Sequence, residues 1–140
     1  MELVRQEDRP VCALATISML TGRHMVELED EYRAITGQWY VHDTEDDAYD
    51  VRICNYIARY IDIRGIDAPP RRTKLAKRQA LYVSFDDNKY SHLMAIDFDG
   101  VVYDPNGHVC PLAAWLKGAP TWYGSKPVAW RVLELKKENP

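Results

Sequence analysis

With 140 residues, 46% of them hydrophobic and 28% charged, the chain is long enough for one globular domain over residues 1–140 and too short for two. A formal net charge of only −3 gives no electrostatic reason to expect nucleic acid or a membrane surface as a partner, and no apolar run approaches the ~20 residues that span a bilayer. The three cysteines lack the clustered spacing of a zinc site or disulfide framework, and the acidic N-terminus is unlike a signal peptide. These features predict a cytoplasmic protein with reduced thiols, no cofactor and no metal.

The first half of the chain has helical spacing. The apolar run that starts at Cys12 predicts a helix that Gly22 ends, and apolar residues at helical spacing predict a second helix over 25–36. The strongest helical pattern runs over 45–63, where acidic residues precede a stripe of tyrosines and isoleucines. Cys54 lies beside this stripe, so we expect its thiol to be buried or half-buried.

After residues 68–74 the spacing becomes alternating, which is typical of half-buried strands. The predicted strands lie at 80–85, 92–98, 101–104 and 128–135. Between the last two, 111–117 is predicted to be a short helix ended by Gly118, and 119–126 an aromatic-rich loop. Helices first and antiparallel strands second predict an α+β domain, in which N-terminal helices pack against a C-terminal antiparallel β-sheet.

The stretch around Cys12 is unusual for an apolar helix. Cys12 lies at or just inside the start of the first predicted helix, two residues after Pro10. Unpaired N–H groups and the positive end of the helix dipole stabilise a thiolate there, which is the nucleophilic form. A backbone N–H at the same end can stabilise an oxyanion, and Gln6 can offer a second donor. This stretch therefore predicts a nucleophile and an oxyanion hole, but it contains no base.

His92 begins one predicted strand and Asp104 ends the next, so the hairpin between them decides whether they meet. If residues 98–100 form a three-residue loop, Ile96 pairs with Val102. His92 and Asp104 then lie on one face, a diagonal step apart. A two-residue loop would put them on opposite faces, and the sequence leaves both registers open. In the first register Asp104 would orient His92, and His92 could accept the proton of the cysteine thiol.

Together these residues resemble the papain-like cysteine peptidases, and their compact spacing most resembles the C39-like, bacteriocin-processing branch. The segments that carry the resemblance are Gln6, 12–15, 91–96 and 101–107. It implies a papain-like fold with Cys12 as nucleophile, His92 as general base and acid, and Asp104 as the orienting carboxylate. Gln6 would be the oxyanion donor, and a peptide or protein substrate would be cleaved through a covalent acyl-enzyme.

Other interpretations of the same residues stay open. Cys12 alone could be a core residue of an apolar helix, and His92 a hydrogen-bonded histidine at a strand edge. His108 competes with His92 as the base because it follows the same turn. Four aromatic residues near the C-terminus are interpreted as core and loop anchors rather than as a ligand platform. They are Trp115, Trp122, Tyr123 and Trp130.

Two further functions stay open besides a peptidase. The same cysteine, histidine and aspartate could transfer an acyl group to an amine instead of to water. Alternatively, the chain could be a papain-like module that binds a peptide or partner protein without cutting it. The family commonly has an acid before the cysteine and a glycine after it, where this chain has Val11 and Ala13. The acidic stretch 43–50 and the basic stretch 71–78 are predicted to be solvated surface, and either could dock a charged protein partner.

Overall fold

The structure, a computed structural model, describes residues 1–5, 12–40, 48–62, 79–86 and 91–136. In these ranges the helices are α1 (Cys12–Thr21), α2 (Met25–Thr36), α3 (Tyr49–Ile57) and α4 (Leu112–Tyr123). The strands are β1 (Gln79–Phe85), β2 (Ser91–Ile96), β3 (Val101–Asp104), β4 (His108–Pro111) and β5 (Pro127–Glu134). Three helices followed by an antiparallel sheet, with α4 before its last strand, confirm the predicted α+β class. None of the helices in the described ranges is long and apolar enough to cross a membrane.

Glycine ends the first two helices at the predicted positions. Gly22 has a φ of 77°, and its N–H donates to the carbonyl of Ser18 at 2.9 Å. Gly37 has a φ of 75°, and its N–H donates to the carbonyl of Arg33 at 2.8 Å. A side chain at either position would meet the steric penalty of the left-handed region, so these glycines fix where α1 and α2 end.

The third helix is shorter than predicted, because it ends at Ile57 instead of continuing to residue 63. The chain then turns, and Ile61 is fully buried in an isolated antiparallel bridge with Leu135. The apolar stripe therefore continues past the end of the helix, because Ile61 is buried by pairing with the sheet just as the helical residues are buried by packing. The predicted start of this helix, at 45–47, lies outside the described residues.

The five strands form one antiparallel sheet in the order β4-β3-β2-β1-β5. Between β2 and β3 the chain makes the three-residue loop, because Ile96 pairs with Val102. Gly100 takes a φ of 79° in this loop, as a bulge of this kind requires. Of the two registers that the sequence allows, this is the one that puts His92 and Asp104 on the same face of the hairpin.

Two elements beside β3 differ from the prediction. His108–Pro111 forms β4, a strand that the alternation does not predict, and α4 runs through Gly118 to Tyr123, across the predicted loop. Gly118 serves close packing rather than termination, since a Cβ added there would lie 2.3 Å from the ring of Trp122. The helix ends instead before Gly124, which has a φ of 66°.

The sheet separates two apolar clusters. On one face, Ala80 and Leu93 pack with residues of α1, α2 and α3. On the other face, Leu81 and Val83 pack with Trp115 of α4. Helices α1 and α4 therefore approach the β2–β3 hairpin from opposite faces of the sheet. The candidate site lies at this hairpin.

Candidate active site

Cys12 is the first residue of α1, as the sequence predicts, and its side chain is partly buried. One turn further on, the buried hydroxyl of Thr16 donates to the carbonyl of Leu93 at 3.0 Å, which ties α1 to β2. The thiol therefore lies at the positive end of a helix that is fastened to the strand carrying His92.

Several groups stabilise the thiolate form of Cys12. Burial raises the pKa of this thiol, but a hydrogen bond with the side chain of His92, and the charge of that ring, lower it. The backbone N–H groups of Leu93 and Ala13 add to the lowering, so the pKa of Cys12 lies below its ordinary value. A lowered pKa at a helix start is typical of a reactive cysteine.

His92 is the second residue of β2, and its side chain is almost fully buried. Its Nε2 lies 2.6 Å from Oδ1 of Asp104, which leaves Nδ1 as the nitrogen for the hydrogen bond with Cys12. Burial lowers the pKa of His92, but the hydrogen bonds with Asp104 and Cys12, and the charges of both groups, raise it to about 9. His92 is therefore an imidazolium at neutral pH, next to a thiol that ionises readily.

Asp104, the last residue of β3, is fully buried, and both of its oxygens accept hydrogen bonds. Oδ1 accepts from Nε2 of His92 and, at 2.9 Å, from the backbone N–H of Asn106. Oδ2 accepts from Nε1 of Trp115 at 2.9 Å and from the hydroxyl of Tyr123. Burial raises the pKa of Asp104, but the hydrogen bond and charge of His92, with the donors on α4, lower it to about 2. The carboxylate is therefore ionised at neutral pH.

The sequence predicts Trp115 and Tyr123 only as core and loop anchors, yet both donate to Asp104. With the buried Ala119 between them, they have the i, i+4, i+8 spacing that places residues along one side of a helix. This spacing is the signal that could have identified them. It holds only if the helix continues past Gly118, where the prediction ends it.

The second candidate base, His108, lies opposite Asp104 in the β3–β4 ladder. Its ring stacks on that of Trp122, with 3.8 Å between the centroids and 9° between the planes. The imidazole that bonds Cys12 belongs to His92. The structure thus brings together the cysteine, histidine and aspartate that the sequence singles out, and it leaves His108 against Trp122.

The three cysteines, Cys12, Cys54 and Cys110, are all reduced thiols but differ in their surroundings. Cys54 is exposed, so the prediction that it is buried or half-buried was wrong. Burial, followed by the charge of Asp104, raises the pKa of Cys110. The electrostatic setting of Cys110 is therefore the opposite of that of Cys12.

Some predicted residues lie outside the described ranges. Gln6 is one of them, so its role as oxyanion donor stays a prediction. The preceding residue, Arg5, lies against Gly107, where an added Cβ would be 2.9 Å from Nη2 of Arg5. This contact brings the N-terminal segment beside the turn that follows β3. The basic stretch 71–78 and residues 43–47 of the acidic stretch are outside the described ranges as well.

In the part of the chain that the structure describes, no group of three or more His, Cys, Asp or Glu side chains is placed to hold a metal ion. Comparison with protein-family models, with curated proteins and with solved structures finds no match to this chain.

Proposed function

We propose that this chain is a cysteine hydrolase that cleaves a peptide or amide bond through a covalent acyl-enzyme on Cys12. The observation that carries the proposal is the series of contacts from Cys12 through His92 to Asp104, in which the pKa of the thiol is lowered and that of the imidazole is raised. A thiolate beside an imidazolium is a nucleophile with a proton donor next to it, which acyl transfer requires. The order of these residues along the chain also supports a papain-like domain similar to the C39-like branch.

In the acylation step, Sγ of Cys12 attacks the carbonyl carbon of the substrate, and the carbonyl oxygen takes up the negative charge. Backbone N–H groups at the start of α1 lack helical partners and can bind this oxyanion, with Gln6 as the second donor that the resemblance implies. The imidazolium of His92 gives its proton to the leaving amine. The C–N bond breaks, which leaves a thioester on Cys12 and a neutral imidazole.

In the deacylation step, neutral His92 accepts a proton from water while the water oxygen attacks the thioester carbonyl. The C–S bond breaks, the acid product leaves, and the thiolate and imidazolium are restored. Asp104 stays ionised throughout, because its pKa is about 2, and it holds Nε2 so that Nδ1 faces the reacting atoms. Attack by an amine in place of water would give acyl transfer with the same residues, and analysis of the products distinguishes the two reactions.

A module that binds a peptide without cutting it is the alternative from another functional class. Such a module needs no ionised thiol. The lowered pKa of Cys12 and its hydrogen bond with His92 favour the enzyme. A free thiol nucleophile also suits a reducing, cytoplasmic setting, which we include in the proposal.

The test uses two kinds of substrate, the activated ester p-nitrophenyl acetate and a peptide library. The wild type should release a burst of nitrophenolate as Cys12 is acylated, and it should cut library peptides to products that mass spectrometry identifies. Cys12→Ala should lose both activities while its circular dichroism spectrum is unchanged. Cys54→Ala removes an exposed thiol and should keep both activities. Turnover that persists in Cys12→Ala would contradict the proposal.

A further inference from the structure

Two different parts of the fold hold the two oxygens of the Asp104 carboxylate. Oδ1 accepts from His92 and from the backbone N–H of Asn106, which belong to β2 and to the turn after β3. Oδ2 accepts from Trp115 and Tyr123, which both belong to α4. Because a carboxylate rotates easily about its Cβ–Cγ bond, the donors on Oδ2 help to fix the direction in which Oδ1 points.

The hydroxyl of Tyr123 contacts more than this carboxylate. Its oxygen lies 3.3 Å from Nε2 of His92 and accepts a hydrogen bond from Nδ2 of Asn106 at 2.9 Å. The ring of Tyr123 lies 5.4 Å from the ring of His92, centroid to centroid, and it also packs against Phe85 and Trp115. One phenol thus links the carboxylate, the imidazole and the turn after β3.

Tyr123 differs from its neighbours in the site in being only half-buried, whereas Trp115, His92 and Asp104 are buried. It is the last residue of α4, directly before Gly124. Removal of its hydroxyl would therefore take one of the two α4 donors from Oδ2 of Asp104, while the ring and the buried core behind it stay in place.

We propose that Tyr123 is a positioning residue for the Cys12–His92 pair. Its hydroxyl holds Asp104 in the orientation in which Oδ1 accepts from Nε2, and it places a second oxygen next to that nitrogen. Tyr123 acts through Asp104 and His92 and keeps the imidazolium paired with the thiolate. The inference rests on the proposed function, since the pair that it supports is the one that would carry out hydrolysis.

Titratable groups from several elements face this pair. The pair itself consists of Cys12 of α1 and His92 of β2. Hydrogen bonds connect it to Asp104 of β3 and, through Asp104, to Tyr123 of α4. Two further groups respond to the charge of Cys12 or of Asp104. Burial, followed by Tyr49 and Cys12, raises the pKa of Tyr40, and burial, followed by Asp104, raises that of Cys110. His108 lies across the β3–β4 ladder from Asp104, with its ring on Trp122. A titration of His92 therefore reports on Asp104 and Cys12, and replacement of Cys12 isolates the effect of Asp104.

Tyr123→Phe tests the proposal because it keeps the ring and removes only the hydroxyl. The matched control is Trp122→Phe, a change at the preceding residue, whose ring stacks on His108. In a Cys12→Ala background, the pKa of His92 is measured by NMR of ¹⁵N-labelled imidazole. We expect the pKa of His92 to be lower in Tyr123→Phe and unchanged in Trp122→Phe. If Tyr123 only neutralised charge on Asp104, its loss would make the carboxylate a stronger acceptor and raise the pKa of His92 instead.

With Cys12 restored, the second readout is the rate at which iodoacetamide alkylates Cys12 at a mildly acidic pH. We expect Tyr123→Phe to slow it on the order of tenfold, the change that loss of one hydrogen bond to a charged group produces. In an Asp104→Asn background the same substitution should have a clearly smaller effect, because the path through Asp104 is already broken and only the direct contact with Nε2 of His92 is left. Trp115→Phe removes the other donor to Oδ2 and should change the alkylation rate in the same direction.

An unchanged or raised pKa of His92 in Tyr123→Phe would overturn the proposal, as would an effect of Tyr123→Phe that persists undiminished in the Asp104→Asn background. These outcomes are distinct from failure of the proposed function. If Cys12 of the wild type is alkylated no faster than Cys54, the hydrolase proposal fails. The titration of His92 in the Cys12→Ala protein would still decide the role of Tyr123, because it does not depend on the thiol.

Discussion

Nε2 of His92 lies 2.6 Å from Oδ1 of Asp104, and both side chains are buried. An imidazolium and a carboxylate can remain ionised in such a place only because each compensates the charge of the other. The contact also occupies Nε2, so Nδ1 is the ring nitrogen left for Cys12. The ionisation of the cysteine therefore depends on Asp104, through the ring that lies between them.

Replacing Asp104 by Asn should lower the pKa of His92 from about 9 toward its ordinary value of 6.5. The amide keeps the shape of the side chain but removes the charge that stabilises the imidazolium. NMR titration of protein labelled with ¹⁵N-histidine measures this pKa directly. Asp99→Asn removes the same charge from an exposed position in the hairpin loop, so it should leave the pKa of His92 unchanged. A value that stays near 9 in Asp104→Asn would rule out the carboxylate as its main support.

The same carboxylate should make the folded state sensitive to acid. The pKa of Asp104 is about 2 in the folded protein against an ordinary value of 3.8. Its contribution to stability is therefore fully present above the ordinary value and is lost as the pH falls through the folded one. The difference corresponds to about 2 kcal/mol of unfolding free energy. Urea unfolding should show the wild type losing this stability between about pH 4 and pH 2, whereas Asp104→Asn should lack this part of the pH dependence. The same slope in both proteins would contradict the assignment.

Thr16 should affect the site because it ties α1 to β2. Thr16→Val keeps the shape of the side chain but takes the donor from the buried carbonyl of Leu93, at a cost of about 1–3 kcal/mol of unfolding free energy. The looser contact should also slow alkylation of Cys12. The matched control is Thr21→Val, which loses local hydrogen bonds only: the one to the carbonyl of Ile17 and the one accepted from the backbone N–H of Arg23, just after α1. It should cost less stability and leave the alkylation rate unchanged. An unaltered rate in Thr16→Val would show that this bond does not position the thiol.

Local signals in the sequence predict the parts of the site that lie within one element. The helix that starts at Cys12 and ends before Gly22 is an example, since its boundaries depend on nearby residues alone. The sequence leaves the register of the hairpin open for a physical reason. All of β2 from His92 to Ile96 is buried, because helices cover both faces of the sheet. Hydrophobic alternation therefore could not show which face His92 occupies.

The remaining differences come from packing that the local sequence pattern does not show. Gly118 has the local signature of a helix end, but its role is to let the ring of Trp122 pack closely. Ile61 continues the apolar stripe of α3, yet it is buried by pairing with Leu135. Since a packing glycine and a terminating glycine look alike in sequence, the local pattern predicts α4 too short. A helix that ended at Gly118 would not bring Tyr123 to the carboxylate of Asp104, so the sequence does not reveal Tyr123 as its donor.

If Cys12 and His92 form the proposed thiolate–imidazolium pair, the pH dependence of Cys12 alkylation must show it. Native protein would be treated with iodoacetamide between about pH 5 and pH 9, on both sides of the ordinary thiol pKa of about 8.5. Peptide mass spectrometry would locate the label, with the exposed Cys54 as an internal reference. The pair predicts fast labelling of Cys12 that persists on the acid side and moves to alkaline pH in His92→Ala. Labelling of Cys12 that is no faster than that of Cys54 at acid pH, or that His92→Ala leaves unchanged, would contradict the claim.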